Sequence, residues 1–247
     1  MTLACMVLCA ACQASIGGAG DDEPGTPDAG TPVDATTITT DAPTANACPN
    51  MRRVYLNFDG VALTDAAASD ATLNRASWMQ IANGTAPPFR QGDANRAQVI
   101  ADITAGIKAQ LAAFPIEVVT QRPAGGLYVM IVFGGTNTQV GSRFGGAVNE
   151  LDCDDSEKSD VAWISDGVGS VQRNVNFAMG AIGFGLGLTA TTAPTGCMCG
   201  WDNDAVCDNT VPCQLSASIE RDPATRQPCP NVTTQNEVAA FAQKFCE

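Results

Sequence analysis

The chain has 247 residues, enough for one substantial domain or two small ones, and its 45% hydrophobic and 16% charged residues allow most of it to bury a core. Thirteen Lys and Arg stand against 26 Asp and Glu, a formal net charge of −13, which excludes the basic footprint that nucleic acid or an anionic lipid surface requires. There is no histidine, so Ser-His-Asp and Cys-His catalysis and every imidazole-ligated metal site are excluded.

The opening run MTLACMVLCAACQ is apolar and well short of the ~20 residues that span a bilayer. It reads as the core of a secretory signal in residues 1–12, although no Lys or Arg precedes Arg52. Its end, LCAAC, resembles a bacterial lipobox with Cys12 as the residue to be lipidated; Leu8 sits one place early for that pattern. An ordinary secretion signal is the alternative.

Residues 13–47 are rich in Pro, Gly, Thr, Ala and Asp, lack aromatics and carry six acids with no base. Such a segment cannot bury enough apolar area to offset its ordering entropy, so it reads as a disordered acidic linker. The remaining residues, 48–247, are expected to form the folded domain.

Within that domain, Arg53–Asp59 alternates and is rich in strand formers. Residues 61–93 carry weak signals and read as a long surface excursion. From Asn95 to Phe114 the apolar residues Val99, Ile100, Ile103, Ile107, Leu111 and Phe114 keep the three-to-four spacing of an amphipathic helix. Ile116–Thr120, Leu127–Phe133 and Asp160–Ser165 read as strands, with a short edge strand near Phe144. Val171–Leu188 is a second helix-length apolar segment. After Thr189 the chain is loop-rich and cysteine-rich, and Thr234–Cys246 closes it as a helix capped by Thr234 or Asn236. The expected class is therefore α/β (α+β), with a mixed, mainly parallel sheet and two long helices.

Eleven cysteines are present. Setting aside Cys5, Cys9 and Cys12 leaves Cys48, Cys153, Cys197, Cys199, Cys207, Cys213, Cys229 and Cys246. An even count in an exported chain predicts disulfides, whose pairing the sequence leaves open. A thiolate zinc site from Cys197, Cys199, Cys207 and Cys213 is the competing reading, weakened by the lack of paired CxxC knuckles.

The second helical segment is physically odd. Gly180, Gly183, Gly185 and Gly187 lie within eight residues, each costing ~1 kcal/mol relative to Ala in a helix interior. A close-packed small-residue face is one account. A phosphate cradle is another, but GxGxxG is not matched and no P-loop lysine follows.

The segment Gly180–Ala190, GAIGFGLGLTA, also resembles the zinc-binding helix of the metzincin peptidases, HExxHxxGxxH, with its polar residues erased. Gly187 falls on the glycine that ends that helix, and Ile182, Leu186 and Leu188 fit the common HEIGHxLGLxH form. The three histidines fall on Gly180, Phe184 and Ala190, and the glutamate on Ala181. Met198, eight residues after Ala190, falls on the methionine of the turn beneath the metal in matrixin-like members, with Pro194 between. The resemblance covers roughly residues 53–200, about 60% of the chain. It implies a metzincin-like architecture with a degenerate site. Zinc and its activated water need imidazoles and a general base that these four positions lack. The expectation is a pseudoenzyme without cofactor or metal, binding a peptide or protein in a vestigial cleft.

Other constellations carry weaker expectations. Glu150, Asp152, Asp154, Asp155, Glu157 and Asp160 form an acidic run, expected as a solvated loop; a carboxylate pair for hydrolysis without histidine is the alternative. Cys153, set among them, is expected in a disulfide. Asp202, Asp204 and Asp208 offer oxygen ligands for calcium but lack the EF-hand pattern. Trp78, Trp163 and Trp201 are expected as core or rim packing. The overall expectation is an exported binding module of the cell envelope, touching membrane only through a lipid anchor. The alternatives are a carboxylate hydrolase or a purely structural surface lipoprotein.

Overall fold

The computed structural model describes Cys48 and residues 51–246. The signal-like segment with Cys12 and the linker 13–47 lie outside the described residues.

The domain is mixed α/β. A five-stranded sheet is built from β1 (Arg53–Asn57), β5 (Val118–Val119), β6 (Tyr128–Phe133), β7 (Ala147–Val148) and β8 (Val161–Ile164), in the order β5-β1-β6-β8-β7. The first four are parallel; β7 runs antiparallel along β8 and forms an edge. All six residues of β6 are buried, as expected for a strand covered on both faces.

Side chains alternate across this sheet and define two cores. Val54, Leu56, Val129, Ile131, Phe133, Ala162 and Ile164 face the helices α1 (Arg96–Leu111) and α3 (Val171–Gly185). Tyr55, Tyr128, Met130, Val132, Val161 and Trp163 face a second layer. That layer contains β2 (Val61–Asp65), β3 (Arg75–Ala76) and β4 (Asn83–Ala86), paired in the order β3-β2-β4.

Residues 61–93 are therefore not a surface excursion. Leu63 and Phe89 are fully buried, and the Trp78 indole donates to the Val161 carbonyl at 2.6 Å. Their large apolar residues, among them Leu63, Trp78, Met79 and Phe89, are irregularly spaced, so no period marks them locally. The helix expected over 95–114 forms as α1, 16 residues long, with Ile103, Ile107 and Leu111 buried. The edge strand lies three residues beyond Phe144. A short helix, α2 (Asn137–Val140), precedes it.

The C-terminal helix is shorter than expected. Thr234–Gln235 forms β10, antiparallel to β9 (Ile219–Glu220), before Asn236 caps α4 (Glu237–Gln243) through its side chain to the Ala239 N–H at 2.8 Å. Lys244–Cys246 follows as a 3-10 turn. All eight cysteines pair: Cys48–Cys246, Cys153–Cys229, Cys197–Cys213 and Cys199–Cys207. The thiolate alternative is thereby overturned, because its four sulfurs are consumed in two of these bonds. Among the described residues, no helix is long and apolar enough to cross a membrane.

Candidate functional site

Helix α3 holds despite its glycines because both ends are fixed. Ser170 caps the start, its hydroxyl accepting from the Arg173 N–H at 3.2 Å. At the other end the Leu188 N–H reaches the Gly183 carbonyl and the Gly187 N–H reaches the Phe184 carbonyl, a Schellman motif with Gly187 left-handed at φ +79°. A Cβ on Gly187 would lie 2.7 Å from the Asp152 carbonyl oxygen. The Lys244 ammonium donates to the Leu186 carbonyl at 2.7 Å, adding a cation at the negative end.

The other three glycines each admit a neighbour. A Cβ on Gly180 would fall within the Trp201 indole, and one on Gly185 would overlap the Asp160 carboxylate. On Gly183 it would sit 2.5 Å from the Met198 sulfur, which is itself fully buried. The small-residue reading is thus met, against side chains that arrive from outside the helix.

Phe184 packs on Trp201 with ring centroids 5.4 Å apart. Ala181 and Ala190 are fully buried, their carbonyls accepting from Asn149 Nδ2 at 2.9 Å and the Asp222 N–H at 2.8 Å. Gly180, Ala181, Phe184 and Ala190 present no metal donor in their side chains, and among the described residues no group of three or more His, Cys, Asp or Glu is placed to hold a metal. The residues present do not fit a zinc centre.

Beside this packed region lies a cleft of about 620 Å³. It is lined by the segment from Arg143 through β7 to Glu150, by Arg173, Phe177 and Phe184 of α3, and by the Cys199–Cys207 loop with Trp201 and Asp202. Asn149 ties the β7 segment to α3 through its bond to Ala181. Val206, in the same disulfide loop, is 89% exposed.

The edge of β7 is open to this cleft in a defined register. Ser165 N–H donates to the Gly146 carbonyl at 2.8 Å, and Val148 is registered with Trp163. Antiparallel pairs alternate, so 146–165 and 148–163 carry the ladder and the Ala147 N–H and C=O fall on the open side.

The acidic run does not behave as a solvated loop. Asp155 is buried, with both oxygens on the fully buried Arg52 guanidinium at 2.8 and 2.9 Å, and Lys158 at 2.8 Å. Asp152 accepts from the Glu157 N–H at 2.6 Å; burial pushes its carboxyl up, while exposed Asp154 beside it is held down. Glu157 accepts from the Ser69 N–H. Asp160 is buried with neither oxygen hydrogen-bonded, and burial drives its carboxyl well above the usual range against the pull of Arg52. Only Glu150 reaches the cleft, pushed up by burial and by Glu157 and Asp202, with Arg143 opposing.

The calcium set diverges. Asp204 pairs with Arg226 at 2.8 Å, and Asp208 caps its own turn at Thr210, while Asp202 lines the cleft. Trp163 is fully buried and Trp78 nearly so; Trp201 is half-buried at the cleft. Sequence reasoning passed over Arg143, Ala147, Arg173 and Phe177. The available signals were the adjacent Arg143–Phe144 and the four-residue spacing of Arg173 and Phe177 on a helix.

No protein-family model matches the chain, and no curated protein matches it in sequence.

Proposed function

We propose that the domain is a catalytically inactive, metzincin-like module that binds an extended peptide or protein segment in the cleft, adding it as a strand to β7. The observation that carries this reading is the open edge of Ala147 facing a 620 Å³ cleft whose erased ligand positions are packed by Phe184 and Trp201. Main-chain pairing at such an edge supplies affinity, and the aromatic walls supply side-chain pockets. The order β1, α1, β5, β6, β8, α3, the glycine ending α3 and the methionine beneath Gly183 support the metzincin-like assignment. Four disulfides support export to an oxidising compartment, with Cys12 as the lipid anchor at the cell envelope. The acidic balance supports a partner other than nucleic acid.

The test is selection of displayed random peptides on the oxidised full-length protein, followed by Ala147→Pro. Proline removes the outward N–H and leaves the β7–β8 ladder in place. Selected peptides should lose about tenfold in affinity, the value of roughly one hydrogen bond. Failure to select any peptide, or indifference to the proline, would overturn the reading.

A second reading, a hydrolase, is favoured by one observation: Glu150 and Asp202 line the same cleft, and burial raises Glu150. Carboxylates in unlike environments can divide acid and base roles. Hydrolysis of an aryl-glycoside panel that Glu150→Gln abolishes would support it.

A further inference from the structure

Two cations line the cleft without a hydrogen-bonded carboxylate among the described residues, although Arg143 already attracts Glu150. The Arg143 guanidinium lies over the Phe144 ring at 4.7 Å, and that of Arg173 lies over Phe177 at 5.2 Å. Neither guanidinium has a hydrogen-bond or ion-pair partner among the described residues, although both line the cleft. By contrast, Arg52, Arg53, Arg90, Arg96 and Arg226 each pair with a carboxylate. Stacking on a ring fixes the plane of a guanidinium while leaving its N–H fork free, the arrangement that receives a carboxylate in bidentate fashion.

Both forks line the same cleft. Arg143 lies four residues ahead of β7, and Arg173 belongs to the first turn of α3. Gly146 keeps the β7 segment close to α3, since a Cβ there would lie 3.2 Å from the Phe177 ring. A strand added at Ala147 would enter the cleft that both arginines line. Glu150 and Asp202 are the opposing charges in the cleft, and Arg226, also lining it, is occupied by Asp204. The burial that raises Glu150 disfavours its charged form, which tilts the balance further towards the two arginines.

We propose that the cleft selects extended segments bearing an acidic side chain, Glu or Asp, clamped between the Arg143 and Arg173 guanidiniums. This rests on the peptide-binding reading and names the chemistry of its partner. The committed occupant is an internal acidic side chain of a partner polypeptide.

The experiment uses oxidised full-length protein and three blocked, fluorescein-labelled peptides, Ser-Val-Thr-X-Val-Thr-Ser, with X as Glu, Gln or Lys. Anisotropy titrations are run at about 50 mM and about 300 mM salt, since exposed charge pairs are screened over that range. The Glu peptide should bind about tenfold more tightly than the Gln peptide at low salt, and the Lys peptide most weakly. The Glu advantage should shrink at high salt and vanish in Arg143→Gln/Arg173→Gln, and it should grow in Glu150→Gln. Equal binding of all three peptides, or tightest binding of Lys, would overturn this inference while leaving strand addition intact. Binding of none would overturn both. The peptide series on the unmutated protein decides the matter even if a variant folds poorly.

Discussion

Asp160 shows what a single side chain can hide. In sequence it is the last of six acids in a polar run, and nothing distinguishes it from Asp154. In the structure its side chain is buried against Gly185 with neither carboxylate oxygen hydrogen-bonded, while Asp154 is solvated. The difference arises from partners far along the chain: Arg52 is 103 residues from Asp155, the carboxylate it neutralises. No local pattern encodes such a pairing. A buried carboxyl with a raised pKa binds its proton more tightly when folded than unfolded. Its contribution to stability is intact below about pH 4, the unfolded value, and is lost as pH rises towards the folded one. Asp160→Asn should therefore gain stability relative to the parent protein as pH increases from about 4 towards neutrality. Urea midpoints across that range check this; a gap independent of pH would contradict it.

At the scale of elements, the helices and central strands were legible because each carries a dense apolar pattern over its own length. Helix α1 and strand β6 are such cases. The β2–β4 layer was not, because Leu63, Trp78 and Met79 follow no local period and their burial depends on the far side of the central sheet. Helix α3 was legible as an element and as an anomaly, and close packing was one of the accounts its glycines left open. What they pack against could not be read, since the partners come from two other segments, Asp160 and the loop carrying Met198 and Trp201. This packing makes the metzincin-like assignment testable. Histidines at 180, 184 and 190 with glutamate at 181 should fold poorly while Trp201 remains, because any side chain at 180 meets the indole. Adding Trp201→Ala should restore folding and yield one bound zinc per chain by native mass spectrometry. A folded variant of this kind that binds no zinc would count against the assignment.

For the molecule as a whole, the count of eight cysteines foretold the disulfides but not their architecture. Two bonds close short loops: Cys197–Cys213, 16 residues apart, lies in the core, and Cys199–Cys207, 8 residues apart, lines the cleft. Cys153–Cys229 fastens the acidic segment to the C-terminal region, and Cys48–Cys246 closes 198 residues. Longer loops restrict the unfolded chain more, so Cys48→Ser/Cys246→Ser should cost about 2–5 kcal/mol, read as a lowered guanidinium midpoint. Loss of Cys199–Cys207 should cost less stability and more peptide affinity, because that loop carries Trp201 and Asp202.

The closing bond also decides how the domain bears load. Cys48 and Cys246 lie 4.9 Å apart at their Cα atoms, so the chain enters and leaves at one point. A pull applied between the chain ahead of Cys48 and the chain end beyond Cys246 runs through a single covalent link. The mainly parallel sheet, the glycine-rich helix and the cleft hang from that link as a side loop and feel no tension. Strain carried between the two ends leaves the shape of the cleft unchanged.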